Sequence, residues 1–576
     1  MSVRQRWLRV LLVCTAVVFY GCGGGQTGSD TGSSDIGTDG GTSACLNLQE
    51  GQLCAGAARV KLTPEFFETA KSELLEDQTK ENPCVNDEQY CSSLSGNKLK
   101  TQYPDDWATK FFNDTNGDDH FDGYWLSGFN FSRPLQKVHD DIYAHAVVLR
   151  SPEKTVAIVS LDFTGFLNGD VKAILKSIQK TRPELGIAGL IVGSTHTHSS
   201  VDAMGIWSME DPKSRFYVQG EYDYLGRVND TYVDWVDTQI VSAISTAADN
   251  LAPVNATVAS SRVGIDELVT DVRDPFVIDD TLSVLAFDRS QGGERVATIV
   301  NWGAHAESLG ERHNYLSSDY VHYLREALEK GLPATPLKPA IAGVGGITLF
   351  LQASAGGMIT PLGVAVKDRS GNLLDKIGFD RTRAIGETLA EKVVEIFKDG
   401  KSLNQPAVSF KLQTFRPPVE NFNFYMLFNL NIVRKRQVFK IDPLKDDVFG
   451  NIAVETEMAR LKIGPVTIQT FPGEPFPELV VGGYENPWSF SYGHPIIDPE
   501  NKFPPDIAKA PAGPYFRDVV PGEYKFLVTI GQDELGYIIP TYDYKQDAEG
   551  QHYEESVSLG PSMSGMVGDN LAKMKD

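Results

Sequence analysis

Positive charge is scarce in this chain of 576 residues: 53 Lys and Arg stand against 76 Asp and Glu, a formal net charge of −23. Such a surface repels a polyanion, which argues against nucleic acid as a partner. Cysteine is scarcer still, six in all, and Cys14 and Cys22 belong to the extreme N-terminus. The other four, Cys45, Cys54, Cys84 and Cys91, lie far from the histidine-bearing segments, which argues against a thiolate metal site. After the first 20 residues there is no apolar run of the length a transmembrane helix needs. Histidine is also sparse, ten residues in all, yet His196 and His198 stand one residue apart in "GSTHTHSS".

The N-terminus reads as an export signal. Arg4, Arg6 and Arg9 precede an apolar stretch from Val10 to Tyr20, and Gly21 and Cys22 follow. The Gly21-Cys22 junction resembles a bacterial lipoprotein cleavage site, which would make 1–21 the signal peptide and Cys22 the lipidated first residue of the mature chain. A transmembrane anchor is the alternative, but the apolar run is short for one. Residues 22–44 hold mostly Gly, Ser, Thr and Asp and read as a flexible tether, leaving 45–576 as one large domain on the cell envelope or surface. In an exported chain the four remaining cysteines suggest two disulfides. Proximity favours Cys45–Cys54 and Cys84–Cys91, other pairings being open.

Along that domain apolar strands alternate with amphipathic helices. "KTVAIVSLDF" (154–163), "GLIVGSTHTH" and "ERVATIVNWGAHAES" (294–308) read as strands. Helices are expected from Asp170 as an N-cap, over 229–251, over 317–331 with Gly331 as a stop, and up to Gly400. Beyond residue 400 the chain turns strand-rich. The expected class is α/β: a mixed sheet flanked by helices, with a more β-rich C-terminal part. Unusual polar residues gather at the strand ends: Asp162, His196, His198, His305, Glu474 and Tyr537. Ligand sites in open α/β sheets form at those ends, and His with carboxylate suits a mononuclear metal site. Side chains two apart in a strand share a face, so His196 and His198 are expected to project together.

The motifs, in their order, resemble the N-terminal catalytic domain of the neutral/alkaline non-lysosomal ceramidases, zinc-dependent amidases of sphingolipid metabolism. They are "GAARVKLTP" (56–64), "GYWLSGFNFSRPLQKVHDDIYAHAVVL" (123–149), "VAIVSLDFTGF" (156–166), "GSTHTHSS" (193–200), "NWGAHAESL" (301–309), "FPGEPFPE" (471–478), "GYIIPTYDY" (536–544) and "HYEESVSLGP" (552–561). The resemblance implies one Zn2+ held by His196, His305, Glu474 and Tyr537, with Tyr542 and Tyr544 as neighbouring candidates for the tyrosine. It implies hydrolysis of an N-acyl lipid amide by a metal-activated water, with His198 as donor to the developing oxyanion and proton shuttle. The chain departs from the family after THTHS, where Ser200-Val201 replaces the usual Gly-Pro. An esterase or hydrolase of another amide, and a non-catalytic metal-binding surface lipoprotein, are the alternatives. Separately, Asp114, Asn116, Asp118 and Asp122 alternate as in a calcium loop, without the glycine and the final acidic residue such a loop carries, so Ca2+ or a plain acidic turn are both open.

Overall fold

Strands that read as nearly unbroken apolar runs do so because both of their faces are covered. The computed structural model describes residues 44–64, 124–129, 133–135, 137–208, 230–264, 267–311, 314–357, 359–429, 432–434, 436–446, 448–485, 489–545 and 552–574. The signal, the tether with Cys22, the Cys84–Cys91 pair and the acidic loop Asp114–Asp122 lie outside the described residues. The described residues fall in one compact unit, Gly41–Asp576. Of the two disulfides expected, Cys45–Cys54 is present, its Cα atoms 6.0 Å apart.

The large sheet has nine strands: β1 (Cys54–Lys61), β2 (Tyr143–Arg150), β3 (Thr155–Leu161), β4 (Ile187–Ser194), β5 (Ala252–Arg262), β6 (Thr281–Arg289), β7 (Arg295–Trp302), β8 (Ile347–Gln352) and β9 (Lys401–Ser402). Their order is β8-β7-β6-β5-β1-β2-β3-β4, with β9 also on β5. The β7–β8 and β3–β4 pairs are parallel and the others antiparallel, so the sheet is mixed, as expected. The β-rich remainder comprises β10 (Val408–Phe415), β11 (Thr456–Ile463), β12 (Val466–Thr470), β13 (Glu474–Pro475), β14 (Tyr524–Val528) and β15 (Tyr537–Ile538). Strands β10, β11, β12 and β14 form a second sheet, and β13 pairs with β15 alone.

Alternation along each strand assigns its two faces. In β3, Val156 and Ile158 join the core shared with Leu461, Ile468 and Phe526 of the second sheet. The intervening Ala157, Val159 and Leu161 face the core filled by helices α1 (Asn168–Thr181) and α2 (Asp230–Asp249). Helices α3 (Tyr320–Lys330) and α4 (Phe379–Phe397) cover the same sheet beside β6, β7 and β8. The helices thus lie on one face and the second sheet on the other. Val233, Val236, Ile240 and Ile244 of α2 are fully buried, each contributing about 1.5–3 kcal/mol relative to exposure. Among the described residues no helix is long and apolar enough to cross a membrane.

Two sequence expectations change here. Asp170 is not the N-cap of α1: the helix opens at Asn168, Leu167 is the N-cap, and Asp170 sits in the first turn 3.3 Å from Arg434 Nε. Asp162 does close β3, but as a structural ion. It is 2.7 Å from Arg325 Nη1 and accepts the Tyr143 N–H at 2.9 Å. Removing either member of this buried pair would strand a charge, a loss of about 3–5 kcal/mol.

Candidate metal centre

Strands β4 and β7 are far apart in the strand order, yet the loops that follow them meet. The sheet curls until β8 touches β3 and β4: Ser160 Oγ donates to the Phe350 carbonyl at 2.5 Å, and a Cβ at Gly193 would lie 3.2 Å from Leu351 Cδ2. Beyond the strand ends, Thr197 and Ala306 pair as a parallel bridge and His198 N–H donates to the Ala306 carbonyl at 2.9 Å. Residues 196–198 therefore run alongside 305–307.

The THTH histidines do not sit in a strand, as their spacing had suggested. Strand β4 ends at Ser194, and His196 has φ 63°, in the left-handed region that non-glycine residues seldom adopt. Two bonds hold it there: its N–H to the Phe163 carbonyl at 3.0 Å and its Nδ1 to the Thr164 carbonyl at 2.7 Å. The rings still converge, with His196 Nε2 3.4 Å from His198 Nε2. A tight loop, not the pleat, makes them face each other.

The partners of the ring nitrogens constrain where the protons lie. A carbonyl only accepts, so Nδ1 of His196 must carry the proton, and the same holds for His305, whose Nδ1 is 3.0 Å from the Ile359 carbonyl. In the neutral ring each Nε2 is then a bare lone pair. Both lone pairs point at Glu474 Oε2, 3.3 Å from His196 and 3.2 Å from His305. That carboxylate oxygen is buried and makes no aligned hydrogen bond among the described residues. Tyr537 OH lies 3.4 Å from His305 Nε2. Such groups need a positive centre between them, a proton or a metal ion, and imidazole, carboxylate and phenol donors can bind a metal. The ligand atoms of His196, His198 and His305 lie within 4.8 Å of one another, the one such group among the described residues.

Among the protein groups alone, the carboxylates draw a proton onto His305, in the place a metal cation would fill. Burial would raise the Glu474 carboxyl, but His196 and His305 hold it well below the usual carboxylate range. Burial likewise pushes His305 down, and Glu474 and Glu307 outweigh it, lifting the ring to about 9. Burial raises the Tyr537 phenol well above its ordinary value, with the Glu474 charge adding to it. A dication would reverse that shift.

Backbone pairing places the two C-terminal donors. Glu474 and Tyr537 are direct partners in the parallel β13–β15 ladder. The loop at Gly356 packs so close that a Cβ there would meet the Glu474 carbonyl at 2.4 Å, so only glycine fits. Of the other tyrosines, Tyr542 packs against Tyr484 at 6.3 Å between ring centroids and Tyr544 bonds the Glu555 carbonyl, whereas Tyr537 OH lies at His305 Nε2.

The fold has known counterparts. The neutral ceramidase of Pseudomonas aeruginosa superposes with a TM-score of 0.58 at 12% identity, over 91% of this chain and 74% of that one. A ceramidase complexed with C2 gives 0.56 at 13%, over the same shares. The chain has the neutral ceramidase fold. No protein-family profile and no curated protein sequence matches it.

On that ceramidase fold, two residues join the site that sequence reasoning had not singled out. Glu307 Oε2 lies 3.2 Å from His198 Nδ1. Its signal was present, because Glu307 follows His305 at the same spacing that His198 follows His196. Tyr553 OH is 2.5 Å from Tyr537 OH, and its side chain is half exposed, facing both metal centre and solvent. The "GYWLSGF" motif also finds its place. Gly128, at φ 107°, leaves a Cβ position only 2.4 Å from His198 Cβ, and the Phe129 ring stands edge-on to the imidazole at 4.9 Å. Burial lowers His198 to about 4 against the opposing pull of Glu307. Burial would raise Glu307, but His198 and Thr360 hold it at about 2.

Proposed function

We propose that this protein is an exported zinc-dependent amidohydrolase that cleaves the N-acyl amide of ceramide or a related lipid. One observation carries the reading: His196 and His305, from distant segments, converge on a buried Glu474 oxygen that has no aligned hydrogen bond among the described residues, and Tyr537 OH meets His305 Nε2 beside them. The ceramidase fold supports the reaction class.

In this reading His196, His305, Glu474 and Tyr537 hold the ion. Zinc bound there would lower the pKa of a water toward ~7 and polarise a carbonyl oxygen. The chain's own residues do the rest. His198 stands beside that point with Nε2 facing inward, placed to take a proton from the attacking water and return it to the departing amine. Tyr553, bonded to Tyr537 and open to solvent on its other side, offers an O–H to the amide oxygen as it gains charge. The Phe129 edge and the loop through Gly128 cover His198 and limit access of bulk water.

A lipid substrate draws support from a nearby aromatic patch. Phe422, Tyr425 and Phe449 cluster with ring centroids 5.6–5.9 Å apart, and Phe422 and Phe449 are exposed. The helix that carries Phe422 and Tyr425, Phe422–Asn429, also carries Phe424, which abuts Gly536 next to Tyr537. Chelator-treated protein should be inactive, and zinc should restore cleavage of fluorogenic N-acyl sphingosine more than of short polar amides or esters. Preference for a polar amide or an ester would move the reading to that substrate. No cleavage in the zinc-loaded state would leave a metal-binding surface protein.

The anchor belongs to the same proposal. The Arg-rich start, short apolar run and Gly21-Cys22 junction support a mature chain that begins at lipidated Cys22 and rests on a membrane. Mass spectrometry of the N-terminal peptide should find Cys22 with its lipid. An unmodified peptide starting elsewhere would reduce the reading to simple export.

A further inference from the structure

We propose that Glu307 is the positioning residue of His198, fixing its tautomer and holding the charge the ring gains when it takes a proton. This rests on the hydrolase reading above. For His198 to accept a proton at Nε2, its Nδ1 must carry the other, and the partner of Nδ1 decides that. The nearest acceptor is Glu307 Oε2 at 3.2 Å, and among the described residues Nδ1 has no other partner. The contact is loosely aligned, as catalytic hydrogen bonds in unliganded sites often are.

The partners of the three imidazoles separate their tasks. Nδ1 of His196 and of His305 each meets a neutral backbone carbonyl, which orients a ring but adds no charge. Nδ1 of His198 alone meets a carboxylate, the group that stabilises an imidazolium when a ring takes a proton. Glu307 is itself held for this purpose. It is buried, its Oε1 accepts from Thr360 Oγ1, and among the described residues it has no Lys or Arg partner. Its register is set by the backbone, because the Thr197–Ala306 bridge puts residue 307 opposite residue 198.

The test is Glu307→Gln in the zinc-loaded full chain, with 15N-labelled histidine. The side-chain amide is nearly the same shape, but its NH2 can donate to Nδ1 and so reverse the tautomer. The His198 signals, assigned by their loss in His198→Ala, should switch to the form protonated at Nε2. Zinc content should stay that of the wild type, kcat should fall by about 10²–10⁴, and KM should change little. Glu307→Asp, which keeps the charge, should hold the wild-type tautomer and recover part of kcat; it also serves if Glu307→Gln does not fold. An unchanged His198 tautomer, zinc loss, or a switched tautomer with wild-type kcat would each overturn the proposal. The spectra need no substrate, so a chain that cleaves no N-acyl compound would sink the hydrolase reading while the tautomer still decides whether Glu307 orients His198.

Discussion

Replacing His196 with Ala, or Glu474 with Gln, should strip the protein of zinc and lower kcat by at least about 10³. Each change removes one lone pair from a set of donors that have no other use for it. Nδ1 of His196 and of His305 is committed to a carbonyl, which leaves Nε2 as the nitrogen facing the ion, and Glu474 Oε2 has no aligned hydrogen bond among the described residues. The metal contributes several kcal/mol of transition-state stabilisation, and each 1.36 kcal/mol is about tenfold in rate. Glu474→Gln tests charge rather than shape, since the amide fills the same space. Metal analysis after dialysis gives the first readout. Thermal unfolding gives a second, because an ion that binds only the folded chain raises its midpoint. Zinc should raise the midpoint of the wild type and leave both variants unmoved. Wild-type zinc content in both variants would remove the centre altogether.

His198→Ala should behave differently. Zinc should remain, KM should change little, and kcat should fall by about 10²–10⁴, the usual worth of a positioned general acid–base. The loss belongs in kcat because the interaction strengthens only as charge develops and a proton moves. His198 Nε2 is 3.4 Å from His196 Nε2, close enough that this result decides between two ligand sets. If zinc leaves with His198, the three imidazoles are the ligands and proton transfer belongs elsewhere, with Tyr553 the next candidate. If zinc stays and turnover is near normal, His198 is a spacer. The expected result, metal kept and turnover lost, separates a ligand from a catalytic histidine within one tetrapeptide.

Local pattern determined much of this. Alternating apolar strands and amphipathic helices follow from periods of two and 3.6 residues, which are visible in any short window. The sparse His196, His305, Glu474 and Tyr537 stood out because polar residues after apolar runs have few structural reasons to be there, and their motifs follow one another in ceramidase order. Other features were out of reach of any window. Asp170 and Asp162 read like a cap and a site residue, and only their partners Arg434 and Arg325, each more than 160 positions away, show them as ion pairs. The left-handed turn at His196 depends on two carbonyls of a neighbouring loop. Glu307 repeats after His305 the spacing of His196 and His198, but its place opposite His198 comes from the bridge that sets the two loops side by side. The centre itself exists because a large sheet curls until strands at opposite ends of its order touch. That curl is set by twist and by the second sheet packed against it, and both arise from contacts between residues hundreds of positions apart.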